Sequence, residues 1–73
     1  MNHETINNLL LQLDSLESEF LRSAEQARRL AQNAANARDD SIVSLYRYES
    51  ARDTAVANAY REAAILLRTA ARM

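Results

Sequence analysis

Apolar residues in the first half of the chain recur at alternating spacings of three and four residues. Only Ser23 is polar in a series made up of Ile6, Leu9, Leu13, Leu16, Phe20, Ser23, Ala27, Leu30, Ala34 and Ala37. A mean spacing of about 3.5 residues is typical of a helix that packs along another helix, as in coiled coils. The first half therefore predicts a long amphipathic helix with a helical partner.

The series loses its apolar character close to residue 38. Continued in phase through the second half, it meets mostly polar residues. A new stripe takes over there, which we expect to face the first helix, and it consists of Leu45, Tyr48, Arg52, Val56, Ala59, Ala63, Leu67 and Ala70. The change of register predicts two helices that pack against each other.

Residues 36–41 separate the two stripes and carry signals for a helix end and a helix start. Asn36 tolerates the left-handed backbone conformation that often closes a helix. Asp39, Asp40 and Ser41 are all suitable N-caps for the helix that follows. We therefore place the turn in this segment.

The composition agrees with an all-α fold, because the chain has no glycine and no proline to form turns between strands. We predict an antiparallel two-helix hairpin, with helices over about 4–36 and 41–71, that assembles into a helical bundle. The hairpin forms a single domain of residues 1–73. The alternatives are a domain-swapped dimer and one unbroken helix of ~100 Å, at a rise of 1.5 Å per residue.

The open end of the hairpin, where the chain termini lie, carries more apolar residues than one partner helix covers. Residues 9–11 and residues 65–67 are all leucine or isoleucine, and each run sweeps about 200° of its helix, whereas one partner covers roughly 100°. Val43 points away from the predicted stripe near the turn. We therefore predict a partner interface formed by Leu10, Leu11, Val43, Ile65 and Leu66.

Two charged residues, Glu49 and Arg52, fall inside the apolar arc predicted for the second helix. An antiparallel fold places residues whose numbers sum to about 77 at the same level. We therefore predict that Glu25 pairs with Arg52, and that Arg28 pairs with Glu49. Such a network would fix the register of the helices; the alternative is a recognition site for a charged partner segment.

The sequence lacks the residues that catalysis, metals and cofactors require. There is no cysteine, no glycine-rich loop and one histidine, His3, near the start of the chain. We predict no enzymatic activity, no metal, no cofactor and no small-molecule substrate. The net charge of −1 and the lack of any apolar run of about 20 residues predict a cytoplasmic protein without a membrane segment.

These features predict a protein–protein interaction module. Either the hairpin self-associates into a four-helix bundle, or it is an adaptor or co-chaperone that covers an apolar groove of another helical protein. In length and layout the chain is similar to the short hairpins that act as co-chaperones in bacterial type III secretion. The alternative is a small dimeric RNA- or DNA-binding regulator, since the architecture looks like that of a plasmid RNA-binding protein and Arg22 and Arg29 share the outer face.

Overall fold

The computed structural model describes residues 2–72 and contains two antiparallel helices. The first, α1, spans His3–Asn36, and the second, α2, spans Asp40–Arg72. They pack against each other in a hairpin that measures 53 × 15 × 11 Å. The predicted all-α class and the two-helix hairpin are confirmed, and the alternative of one unbroken helix is wrong.

The turn between the helices closes without glycine. Arg38 adopts the left-handed conformation, with a φ of 60°. The N–H of Asp39 donates to the carbonyl of Ala34 at 2.9 Å, and the N–H of Arg38 donates to that of Ala35 at 3.0 Å. These two bonds form a Schellman motif, which satisfies carbonyls at the end of α1. Asn36, the predicted left-handed residue, is instead the last residue of α1.

Both helices begin with a side-chain cap. Asn2 accepts a hydrogen bond from the backbone N–H of Thr5 at 2.8 Å. Asp39 accepts one from the N–H of Ile42 at 3.3 Å. Of the three cap candidates in the turn, the structure therefore uses Asp39, which satisfies an N–H that the first turn of α2 leaves free.

The helices meet along a seam in which spacings of three and four alternate on both sides. On α1 this internal seam comprises Ile6, Leu10, Leu13, Glu17, Phe20, Ala24, Ala27, Ala31 and Ala34. On α2 it comprises Val43, Tyr46, Ser50, Asp53, Ala57, Tyr60, Ala64 and Leu67. Every buried residue in the described part of the chain belongs to this seam.

The seam is narrow because most of its buried residues are small. Six of them are alanines, and the largest is Val43. The rings of Phe20 and Tyr60 contact each other with centroids 5.8 Å apart, yet both side chains are only half-buried. Between residues 2 and 72, no large side chain is fully enclosed, because two helices alone cannot surround one.

The predicted α1 series is half right. Its members at positions 6, 13, 20, 27 and 34 lie in the internal seam, but at positions 9, 16, 23 and 30 the seam uses the next residue instead, and Ala37 lies beyond the end of α1. Ala24 is fully buried, whereas the preceding Ser23 is exposed; Ala31 is buried, whereas Leu30 is 36% exposed. Residues of the predicted series therefore also form a second row beside the seam.

Apart from Leu67, which lies in the internal seam, the predicted α2 stripe is wrong as the surface that faces α1. Leu45 and Tyr48 are 50% and 67% exposed, whereas Ser50 and Asp53 are buried. The seam is rotated by about 100° from the predicted stripe, which is the angle between successive residues of a helix. Apolar periodicity missed it because two polar residues occupy its centre.

Candidate interaction surface

The hairpin has two broad sides, and two contacts between the helices show which residues share a side. On one side the hydroxyl of Ser23 donates a hydrogen bond to Asp53 at 2.6 Å. On the other side Arg68 contacts Asp14 at 3.4 Å. Residues seven apart take equivalent places along a packed helix pair, so each contact assigns a whole series of residues to one side.

We call the side on which Ser23 meets Asp53 the apolar face. It is formed by Leu9, Leu16, Leu30, Ile42, Leu45, Val56, Ala59, Ala63, Leu66 and Ala70. None of its leucines is buried, and Leu66 is as much as 69% exposed. Glu49 and Arg52 interrupt the face between its centre and the turn.

We call the opposite side the polar face. Its row beside the internal seam consists of Asn7, Asp14, Leu21, Arg28, Ala35, Arg47, Thr54, Arg61 and Arg68, and Leu11 and Ile65 lie at the outer edge of this row. The ion pair of Asp14 and Arg68 is about half exposed, and such pairs add little to stability. Five of the nine residues in this row are charged, whereas only Glu49 and Arg52 bring charge to the apolar face.

A polar layer crosses the internal seam near its middle. Asp53 is 4% exposed, accepts the hydrogen bond from Ser23 and lies 3.6 Å from Arg52. Ser50 is also buried, and its carbonyl accepts a hydrogen bond from the Thr54 hydroxyl at 2.8 Å. Within residues 2–72, no buried side-chain nitrogen or oxygen lacks a partner. The layer is therefore a satisfied polar contact that ties one level of α1 to one level of α2.

Sequence reasoning missed this layer, although the sequence contained a signal for it. Ser23 is the single polar member of the predicted α1 series, and Asp53 lies at the matching level of an antiparallel hairpin, where residue numbers sum to about 77. A polar residue within a predicted apolar series favours a polar partner on the facing helix. Because Ser23 is the polar member of the α1 series, this rule indicates Asp53 as its partner on α2.

The structure does not bring the predicted ion network together. Glu25 pairs within α1, with Arg28 at 3.5 Å and with the next arginine at 3.6 Å. Arg52 pairs with its neighbour Asp53. Arg28 lies on the polar face and Glu49 on the apolar face, so the seam separates them. The prediction was wrong because it depended on the stripe of α2 that turned out not to face α1.

The predicted partner interface divides among different parts of the hairpin. Val43 is 7% exposed and lies in the internal seam, so its place in an interface is wrong. Leu10 is also a seam residue, half-buried against α2. Leu66 lies on the apolar face and is available to a partner.

Leu11 and Ile65 are exposed, at 68% and 51%, but they do not belong to the apolar face. Leu11 lies one turn before Asp14, and Ile65 lies one turn before Arg68. Residues three apart are neighbours on a helix, so both flank the ion pair of the polar face. The structure therefore separates them from Leu66.

The acidic side chains of the described residues do not gather into a metal site. Residues 2–72 contain no cluster of three or more His, Cys, Asp or Glu side chains that could hold a metal. The surface depressions are shallow, and one at the open end is lined by His3, Ile6 and Leu67 together with two alanines. In this part of the chain, neither helix has the length and apolar character needed to cross a membrane.

Comparison with known proteins adds no relative. No family model matches the chain, and neither the curated proteins nor the solved structures yield a match. A functional proposal therefore rests on the geometry of the two faces.

Proposed function

We propose that this protein is a non-enzymatic interaction module that packs helices against its apolar face. The observation that carries the proposal is which stripe of α2 packs against α1. The helix buries Ser50 and Asp53 against α1 and leaves Leu45, Val56 and Leu66 partly or largely in water. Burial of apolar surface contributes about 25 cal/mol per Å². A helix that turns its more apolar stripe away from its own hairpin is therefore suited to a further partner.

The exposed area of the chain supports the proposal that a partner covers part of its surface. A compact monomer of 8.3 kDa is expected to expose about 4,600 Å². The hairpin exposes 5567 Å², so the excess is roughly 1,000 Å². Stable interfaces bury about 800 Å² on each partner. One interface of ordinary size, formed along the hairpin, would remove the excess.

The shape of the apolar face suits helices. The two helices form parallel rows of side chains, and α2 presents small residues, Ala59, Ala63 and Ala70, between larger ones. Small side chains let a further helix approach closely, as in bundles with interaxial distances of 8–10 Å. A second hairpin or two helices of another protein would complete a four-helix bundle, which covers both the self-association and the adaptor forms of the proposal.

The test compares two double variants with matched exposure. Leu45→Glu with Leu66→Glu alters the apolar face, and Leu11→Glu with Ile65→Glu alters the polar face; the original exposures are 50% and 69% against 68% and 51%. Leucine and glutamate have similar helix propensities, so helicity within the hairpin is retained. Sedimentation measures the mass, and the fluorescence of an apolar dye such as ANS measures open apolar surface.

We expect the unaltered chain either to associate or to bind the dye, and only the apolar-face variant to abolish that behaviour. The polar-face variant is the control for added charge. An unaltered chain that is monomeric, melts cooperatively and binds no dye would contradict the proposal. Equal behaviour of both double variants would contradict it as well.

A further inference from the structure

We infer that the occupant of the apolar face is a second copy of this chain, which completes a two-fold symmetric four-helix bundle with both turns at the same end. The inference rests on the proposed function and names the partner for that surface. It depends on three properties of the face: its size, the levels of its large side chains and the placement of its charges.

The size of the exposed surface matches one identical partner. The excess of roughly 1,000 Å² per chain is close to the 800 Å² or so that each member of an ordinary complex buries. A chain of 73 residues without cysteine has no disulfide to supplement a small core. The internal seam supplies mainly alanines, so association is the remaining source of apolar burial.

The large side chains of the face are complementary to themselves. With the two-fold axis along the hairpin, α1 of one copy lies over α2 of the other, and residues whose numbers sum to about 77 come level. Leu30 then lies level with Leu45 of the second copy. Leu9 lies within a turn of the second copy's Leu66. Leu16 lies level with alanines in the middle of the second copy's α2. Leucines therefore face leucines at both ends of the interface, and a leucine faces alanines between them.

The charges favour the orientation in which both turns lie at the same end. Glu19, Arg22 and Gln26 border the apolar face, because they line one depression together with Ser23. With the turns at opposite ends, Glu19 lies against Glu19 of the second copy, and like charges repel. With the turns together, Glu19 is level with Ala59, and Arg52 is level with the amide of Gln26. The same-end orientation therefore avoids the repulsion and offers Arg52 a hydrogen-bond acceptor.

The test combines mass with one distance. Because the chain has no cysteine, Asp40→Cys provides a single spin-label site beside the turn, on the polar face. Sedimentation equilibrium is expected to give twice the chain mass. Pulsed dipolar spectroscopy is expected to give a label separation of about 30 Å, the width of a labelled four-helix bundle. Turns at opposite ends would add an offset of about 50 Å along the bundle, at 1.5 Å per residue, and would place the labels about 60 Å apart.

The control adds Leu45→Glu and Leu66→Glu to the labelled chain, which is expected to abolish the dipolar signal and halve the mass. A long label separation, or a dimer that survives these changes, would overturn the inference. A monomer that binds the apolar dye through this face would also overturn it, yet would leave the proposed function standing. A monomer that binds no dye and melts cooperatively would contradict both this inference and the proposed function.

Discussion

The two stripes of α2 differ in a way that ordinary hydrophobic patterning does not anticipate. The stripe against α1 contains Ser50 and Asp53 at its centre, and the stripe on the apolar face contains Leu45, Val56 and Leu66. The buried stripe favours one register of the two helices, because Asp53 accepts its hydrogen bond from one residue, Ser23, at one level of α1. The exposed stripe is more apolar but makes no such contact among residues 2–72. The hairpin therefore places a polar contact in its internal seam and leaves its more apolar stripe exposed.

The largest expected effect comes from filling the narrow seam. Ala57 is fully buried, and Ala57→Leu would force the helices apart, which lowers the free energy of unfolding by about 3 kcal/mol. Ala55→Leu, two residues earlier and exposed, is the matched control and should change stability little. Chemical denaturation followed by circular dichroism measures both. Equal tolerance of the two substitutions would show that Ala57 does not lie between the helices.

The next effect concerns the polar layer. Asp53→Ala removes the acceptor for Ser23 and should lower the free energy of unfolding by about 2 kcal/mol, as for a hydrogen bond to a charged group. Ser23→Ala, combined with it, should add little, because the two residues share one contact. A double-mutant cycle in denaturant gives the coupling. Additive losses would show that the hydrogen bond does not join the two helices.

A substitution in the turn is expected to raise the free energy of unfolding without altering either stripe of α2. Arg38 has a φ of 60°, a conformation that costs non-glycine residues about 1–2 kcal/mol. Arg38→Gly relieves this cost but makes the unfolded chain more flexible, so we expect a net gain of up to about 1 kcal/mol. The thermal midpoint should rise without a change in association constant. A fall in the midpoint would contradict the left-handed turn.

The smallest effect is expected on the polar face. Asp14→Asn breaks the ion pair with Arg68, which is about half exposed, and should cost less than about 0.5 kcal/mol. The same comparison at high salt should show a smaller difference still. A loss above 2 kcal/mol would mean that this face is covered by a partner, which would reverse the roles assigned to the two sides.

The sequence was sufficient to predict the two helices, the position of the turn and which residues of the antiparallel helices lie at the same level. It predicted helices within one residue of the observed bounds at 3–36 and 40–72, because patterning and capping signals act locally. It also contained the apolar stripe of α2 that includes Leu45 and Val56. The error lay in assigning that stripe to α1, which also misplaced Val43 and the predicted ion network.

Only the tertiary structure decided which surface of α2 faces α1. Periodicity measures how apolar a stripe is, but a narrow seam also requires small side chains and satisfied polar groups. Alanines at 24 and 57 and the contact of Ser23 with Asp53 meet both requirements, and a stripe of larger residues does not. The sequence by itself therefore determined that these helices have apolar stripes. The packing of side chains across the hairpin determined which stripe is internal and which stays exposed.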